Sequence, residues 1–181
     1  MKKALKWTAI VVGVLVVGLF VAFKVLQYNT KQASPEATAE YTANGTEVSV
    51  FYNRPSKRGR EIFGQLVPYG QVWRTGANEA TTFTTNRDLT IGGKPLPAGK
   101  YTLWTIPGKD TWTVIFNRKQ YSWGVDWDSK ATREAAHDAL QVQVPAETQN
   151  PPLEQFLISF EAAAPALVLA WDRTKVTVPM Q

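Results

Sequence analysis

The chain has 181 residues, no cysteine, one histidine and a formal net charge of +5. Disulfides and thiolate chemistry are excluded, and a zinc site is disfavoured by a single histidine without thiols. Lys2, Lys3, Lys6, Lys24 and Lys31 carry much of the charge; residues 41–181 hold 15 basic and 13 acidic side chains, too near neutrality for the broad basic face of a nucleic-acid binder.

Residues 7–23 are apolar apart from Thr8 and two glycines. As a helix they span about 25 Å. With Val25 and Leu26, and with Lys6 and Lys24 snorkelling, the segment reaches the roughly 30 Å of a hydrocarbon core. Lys2, Lys3 and Lys6 ahead of it predict a cytoplasmic N-terminus, and Trp7 and Tyr28 fall where interfacial aromatics belong. A single-pass signal-anchor over residues 1–28 is therefore expected, with residues 7–23 in contact with the membrane. The competing reading is a cleaved signal peptide. Ala37-Thr38-Ala39 has the A-x-A form, but it lies further beyond the apolar run than a usual cleavage site. Gly13 and Gly18 form no GxxxG pair, so nothing points to helix dimerisation.

Residues 29–46 are small and polar and read as a flexible tether. Asn44-Gly45-Thr46 matches a glycosylation acceptor, but Asn-Gly is equally a turn signal. From residue 47 to 181 the chain reads as one β-domain. Val48, Val50 and Tyr52 alternate, and residues 80–86 are threonine-rich around Phe83. Residues 89–91 and 94–96 flank Gly92-Gly93 as a hairpin. Strands follow at 100–106 and at 111–117, the second with Trp112, Val114 and Phe116 on one face. A helix is expected over residues 129–136, capped by Asp128 or Ser129. Leu140, Val142 and Val144 alternate before Pro145, and Phe156, Ile158 and Phe160 do so before Glu161. Residues 166–171 and 174–178 close the chain as a hairpin through Asp172-Arg173. About nine short strands with almost no helix predict an all-β fold, an antiparallel β-sandwich behind one transmembrane helix.

Residues 53–80 break the strand-and-turn pattern, being dense in glycine, proline, arginine and aromatics. Long ordered connections in compact domains are often functional. Arg54, Arg60 and Arg74 are planar forks suited to carboxylate, phosphate or sulfate. Tyr69, Trp73 and, further on, Trp123 offer flat faces for a sugar ring or a cation. Asn78 adds a donor and an acceptor, and Glu79 is a partner for an arginine. These eight residues are the candidate ligand site. The competing reading is a structural network, with the arginines pinning the loop and the tryptophans filling the core. His137 lies in a charged, alanine-rich stretch with no serine elbow or second ligand beside it. Asp126-Trp127-Asp128 lacks the rest of a Ca²⁺ loop. No phosphate-binding loop or dinucleotide fingerprint is present, so neither a metal nor a cofactor is expected.

Arg54-Pro55, Gly59-Arg60, Ile62-Phe63-Gly64, Leu66-Val67-Pro68-Tyr69-Gly70, the run from Val72-Trp73-Arg74 through Ala80-Thr81, Leu96-Pro97-Ala98-Gly99-Lys100-Tyr101 and Trp123-Gly124 together resemble domain-of-unknown-function family 2911. The resemblance covers about residues 47–161. Residues 129–137 are longer and more alanine-rich than the family pattern, and residues 162–181 lie outside it. It implies a bacterial envelope β-domain, commonly carried behind a secretion signal, and no established activity. The expected place is the inner membrane, with the β-domain in the periplasm. The expected role is a binding module for an anionic or glycan ligand of the envelope. One alternative is an enzyme with Glu79 as acid or base and an arginine stabilising charge, against which the lack of a recognisable catalytic set weighs. The other is a structural partner of an envelope protein in a membrane complex.

Overall fold

The computed structural model describes residues 2–161 and 163–181. The chain divides into two compact units, Met1–Ala33 and Ser34–Gln181. The first is a single helix, α1, Lys2–Ala33, which from Lys6 onward is long and apolar enough to cross a membrane. It runs seven residues past Leu26, through part of the expected tether. Lys31, Gln32 and Ala33 are good helix formers, and the helix ends just before Pro35, which disfavours helical geometry in the residue ahead of it.

The rest of the expected tether is also ordered. Glu36–Ala43 is strand β1, paired residue for residue with β2, Thr46–Asn53, from Glu36↔Asn53 to Ala43↔Thr46. The β-domain therefore begins at Ser34 rather than at residue 47. Alternation is present in β1, with Ala37, Ala39, Tyr41 and Ala43 half-buried, but three of the four are alanine and give little hydrophobic signal. Tyr41 supplies the anchor, its ring 5.8 Å from that of Phe160. Asn44 and Gly45, at φ of 51° and 76°, make the tight turn their sequence suggests.

Seven further strands follow: β3 Thr82–Thr85, β4 Leu89–Ile91, β5 Lys94–Leu96, β6 Gly99–Ile106, β7 Thr111–Asn117, β8 Asp138–Glu161 and β9 Ala166–Pro179. The all-β antiparallel fold behind one N-terminal helix is as expected. Seven strands form one sheet in the order β1-β2-β3-β6-β7-β8-β9, curled as a half-barrel, and β4–β5 is a separate hairpin. β9 runs as one strand through Asp172-Arg173, where a hairpin was expected, and pairs with β8. β8 is one long strand where two were expected. It pairs with β7 as far as Pro145 and with β9 from Ala146 onward. Pro145, lacking an N–H, thus falls where the strand changes partner. Register shifts between Thr148 and Leu157 take up Pro151 and Pro152.

The expected helix at 129–136 is absent; only a 3₁₀ turn, Ala135–His137, forms. The Asp126 carboxylate accepts the Asp128 and Lys130 N–H groups, both at 2.9 Å, and Ser129 sits at φ 63°. A local side-chain turn has outcompeted the helix.

The inner face of the curl is the core. Val48, Val50 and Tyr52 of β2, Phe83, Leu103, and Trp112, Val114 and Phe116 of β7 meet Phe156, Ile158 and the β9 residues Leu167, Leu169 and Trp171 there. The C-terminal strand is thus integral to the core. The curl is fastened where Pro55–Lys57 meets β8: Phe156 N–H donates to the Pro55 carbonyl at 3.0 Å, Lys57 N–H to that of Glu154 at 2.6 Å, and the Tyr52 hydroxyl to that of Ile158 at 3.1 Å.

Candidate functional site

The long connection of residues 54–81 does three separate things. Its first part, residues 54–60, is a clasp. Arg54 donates its Nε to the Phe156 carbonyl at 3.3 Å, and its own carbonyl accepts Gln155 Nε2 at 3.2 Å. Arg60 donates Nε to the Lys57 carbonyl at 3.0 Å and an Nη to that of Ser56 at 2.6 Å. Both guanidiniums fasten main chain. Lys57 reaches Asp172 at 2.5 Å.

The second part, residues 61–70, is a plug. Ile62, Phe63 and Val67 are buried in the core, and Gly70 N–H bonds the Pro107 carbonyl at 2.8 Å. Tyr69 is partly exposed but its ring lies over Gly64, where a Cβ would stand 2.8 Å away. Gly64 is at φ 99°, a conformation that favours glycine, and any side chain there would also have to push the Tyr69 ring aside.

The third part carries the site. Trp73 pairs with Thr105 in both directions, at 2.7 and 3.0 Å, continuing the sheet beside β6. Successive side chains on such a segment point to opposite faces. Trp73 turns inward, stacked with Trp171 at 6.0 Å and edge-on to Phe63, Trp112 and Phe156. It is a core residue. Arg74 instead meets the loop after β7: it donates to the Trp123 carbonyl at 3.2 Å, and its guanidinium lies 5.9 Å from the Trp123 ring centre. Burial pushes the Arg74 pKa below the usual arginine value, and the neighbouring Glu79 carboxylate opposes that shift. Glu79 accepts Asn53 Nδ2 at 3.1 Å. Asn78 Nδ2 donates to the Ser34 carbonyl at 3.2 Å and approaches Asn53 Oδ1 at 3.4 Å.

The backbone between Arg74 and Glu79 is strained. Thr75 is buried and β-branched, yet adopts φ 58°, and Asn78 adopts φ 53°. Such values for a β-branched residue are rare and persist only where surroundings impose them. Thr75 is held through its hydroxyl to that of Thr105 at 3.1 Å and through its carbonyl by Thr81 Oγ1 at 2.7 Å. Gly76 passes so close to Asn53 that a Cβ would lie 3.0 Å from the Asn53 carbonyl oxygen. The facing wall is held by Gly124, at φ 77°, packed against Ala80, Arg74 and Trp104.

Of the eight expected residues, the fold brings four together: Arg74, Asn78, Glu79 and Trp123. Arg54, Arg60, Tyr69 and Trp73 serve the clasp, the plug and the core. Asn53 was not anticipated. It is fully buried and joins Asn78 to Glu79. Alternation after the buried Tyr52 places it outside, where a polar residue is ordinary, so no signal in the sequence marks it. Trp123 is 38 % exposed, so the cluster keeps a flat aromatic surface open to solvent. Two shallow depressions lie elsewhere, one of about 300 Å³ beside Glu40 and Glu47 and one of about 410 Å³ beside Lys94 and Gln141. Among the described residues no cluster of three or more histidine or carboxylate groups could hold a metal ion.

The fold and this loop together define a curled antiparallel β-domain carrying an arginine against an exposed tryptophan, with a carboxylate charge acting on it. A family model described as "Protein of unknown function (DUF2911)" matches residues 34–180, and the chain belongs to that family. The match takes in β1 and the C-terminal strand as well as the core seen in the sequence motifs. No curated protein and no solved structure matches the chain.

Proposed function

We propose that this protein is a single-pass, membrane-anchored β-domain of the bacterial envelope, facing the periplasm, that binds a glycan through Arg74, Glu79 and Trp123. The carrying observation is the convergence of those three groups. A guanidinium donates to hydroxyls, a carboxylate accepts from them, and an exposed indole offers a face to a sugar ring. The Glu79 charge acting on Arg74 favours a neutral, hydroxyl-rich ligand over a simple anion, whose charge Glu79 would oppose. Retention of the helix is supported by β1. Ala37, Thr38 and Ala39 pair there with Tyr52, Phe51 and Val50, so cleavage after Ala39 would remove half a strand of the domain.

The test is calorimetric titration of the full chain in detergent micelles with a panel of envelope oligosaccharides. One or more should bind, and Trp123→Ala should weaken that binding at least tenfold, the loss of roughly 1.4 kcal/mol of stacking and contact. Binding unchanged in both Trp123→Ala and Arg74→Ala would remove the reading. Turnover of a panel member, abolished in Glu79→Gln, would instead make Glu79 an acid–base group.

A further inference from the structure

We infer that the N-terminal strand holds the candidate site in its working geometry, through two buried side-chain amides that begin where the chain joins the β-domain. Ser34 is the first residue of that unit, and its carbonyl accepts the Asn78 amide. The same amide faces Asn53 Oδ1, and Asn53 Nδ2 donates to Glu79 beside Arg74. Asn53 is 0 % exposed, Asn78 6 % and Ser34 9 %. The Asn53 amide is fixed at both ends: with its nitrogen toward the carboxylate, its oxygen faces Asn78. A second bond, from Arg54 N–H to the Pro35 carbonyl at 2.9 Å, seats the same junction.

Withdrawal of Ser34 and Pro35 would strip an acceptor from a buried donor, which is costly. The segment that would have to absorb the change already holds Thr75 and Asn78 at positive φ. Such a segment keeps its conformation only while its surroundings over-determine it. Undocking of β1 therefore releases Glu79 and loosens the strained backbone that carries Arg74 to Trp123. The coupling is reciprocal: a ligand that fixes Glu79 tightens the seat of β1. The site is competent only in a chain whose first strand is in place, so clipping at residues 34–39 switches it off. The ligand in this statement rests on the glycan reading; the coupling itself does not.

Hydrogen exchange on the full chain in detergent micelles decides it. Asn78→Gly keeps the left-handed backbone and deletes the amide. It should speed exchange at least about tenfold in residues 34–43 and in 74–80, with β6 and β7 at wild-type rates. Tyr41→Ala loosens β1 from its far end, ~23 Å along the strand from Ser34, and touches no site residue. It should speed exchange in 74–80 as well. Faster exchange in only one of the two segments, in neither, or everywhere at once overturns the inference. Failure of every oligosaccharide to bind would end the glycan reading and leave this result standing.

Discussion

Residues 54–70 hold Arg54, Arg58, Arg60, Phe63 and Tyr69, residues 71–81 hold Trp73 and Arg74, and the two stretches do different work. In the first stretch the charged forks are turned back on the protein. Arg54 and Arg60 bond carbonyls of Phe156, Lys57 and Ser56, and Tyr69 covers Gly64. In the second, Arg74 lies against a half-open indole with the Glu79 charge acting on it, beside a backbone held at unusual φ. Residue type does not separate the two. The surroundings do: Arg74 also bonds a main-chain carbonyl, but that of the exposed Trp123 whose ring it lies against, whereas Arg54 and Arg60 bond carbonyls of the clasp and of β8.

The largest test of this contrast compares two tryptophans. Trp73 belongs to the aromatic cluster with Phe63, Trp112, Phe156 and Trp171, and Trp123 to the rim. Trp73→Ala should cost about 3 kcal/mol of unfolding free energy, the lower end for a tryptophan truncation because Trp73 is only half-buried. Trp123→Ala should cost about 1 kcal/mol or less while removing ligand binding. Denaturant titrations of the two variants in micelles give both figures. Equal losses would erase the distinction between core and rim.

A second test concerns what holds the rim's outer wall. The loop carrying Trp123 is fastened at its far end by Arg133, which grips Asp138 at 3.1 and 2.5 Å; Asn117 and Gln141 each add a bond at 2.8 Å. Burial alone would raise the Asp138 pKa, but hydrogen bonds from Arg133, Asn117 and Gln141, with the Arg133 charge, hold it below the usual carboxylate value. A carboxylate with a lowered folded pKa contributes stability above its unfolded value, near pH 4, and that contribution is lost as pH falls through the folded pKa. Wild type should therefore lose more stability on acidification below about pH 4 than Asp138→Asn does. Acid titrations that coincide for the two proteins, followed by near-UV circular dichroism, would show that this fastening plays no such part.

The fold was largely legible because its strongest signals are physical necessities. Alternation in Val48-Val50-Tyr52 and Trp112-Val114-Phe116 marks faces that must be buried, and Gly92-Gly93 marks a turn few other residues can make. What escaped reading was decided by tertiary context. β1 hides behind alanines and is held by its pairing with β2. The helix expected at 129–136 lost to the Asp126 side chain. The site was half legible. Residue type identified Arg74, Glu79 and Trp123, but equally Arg54 and Arg60, since nothing in a sequence states which acceptor an arginine will meet. Asn53, the buried junction, was silent, since alternation puts it on the outer face where a polar residue is ordinary.

The smallest expected effect is also the most specific, because it compares the arginines directly. Arg60→Ala removes two bonds to carbonyls of its own turn, at an exposed position where solvent replaces much of their value. It should lower stability by about 1 kcal/mol and leave ligand affinity unchanged. Arg74→Ala removes a partly desolvated guanidinium whose carbonyl bond and indole contact are also few. Its stability cost should be similar, about 1 kcal/mol, while its affinity for any ligand of the rim falls at least about tenfold. Two arginines of nearly equal structural weight would then differ in function alone. If Arg60→Ala weakens binding as much as Arg74→Ala, the clasp and the rim are one site, and the division of residues 54–81 is wrong.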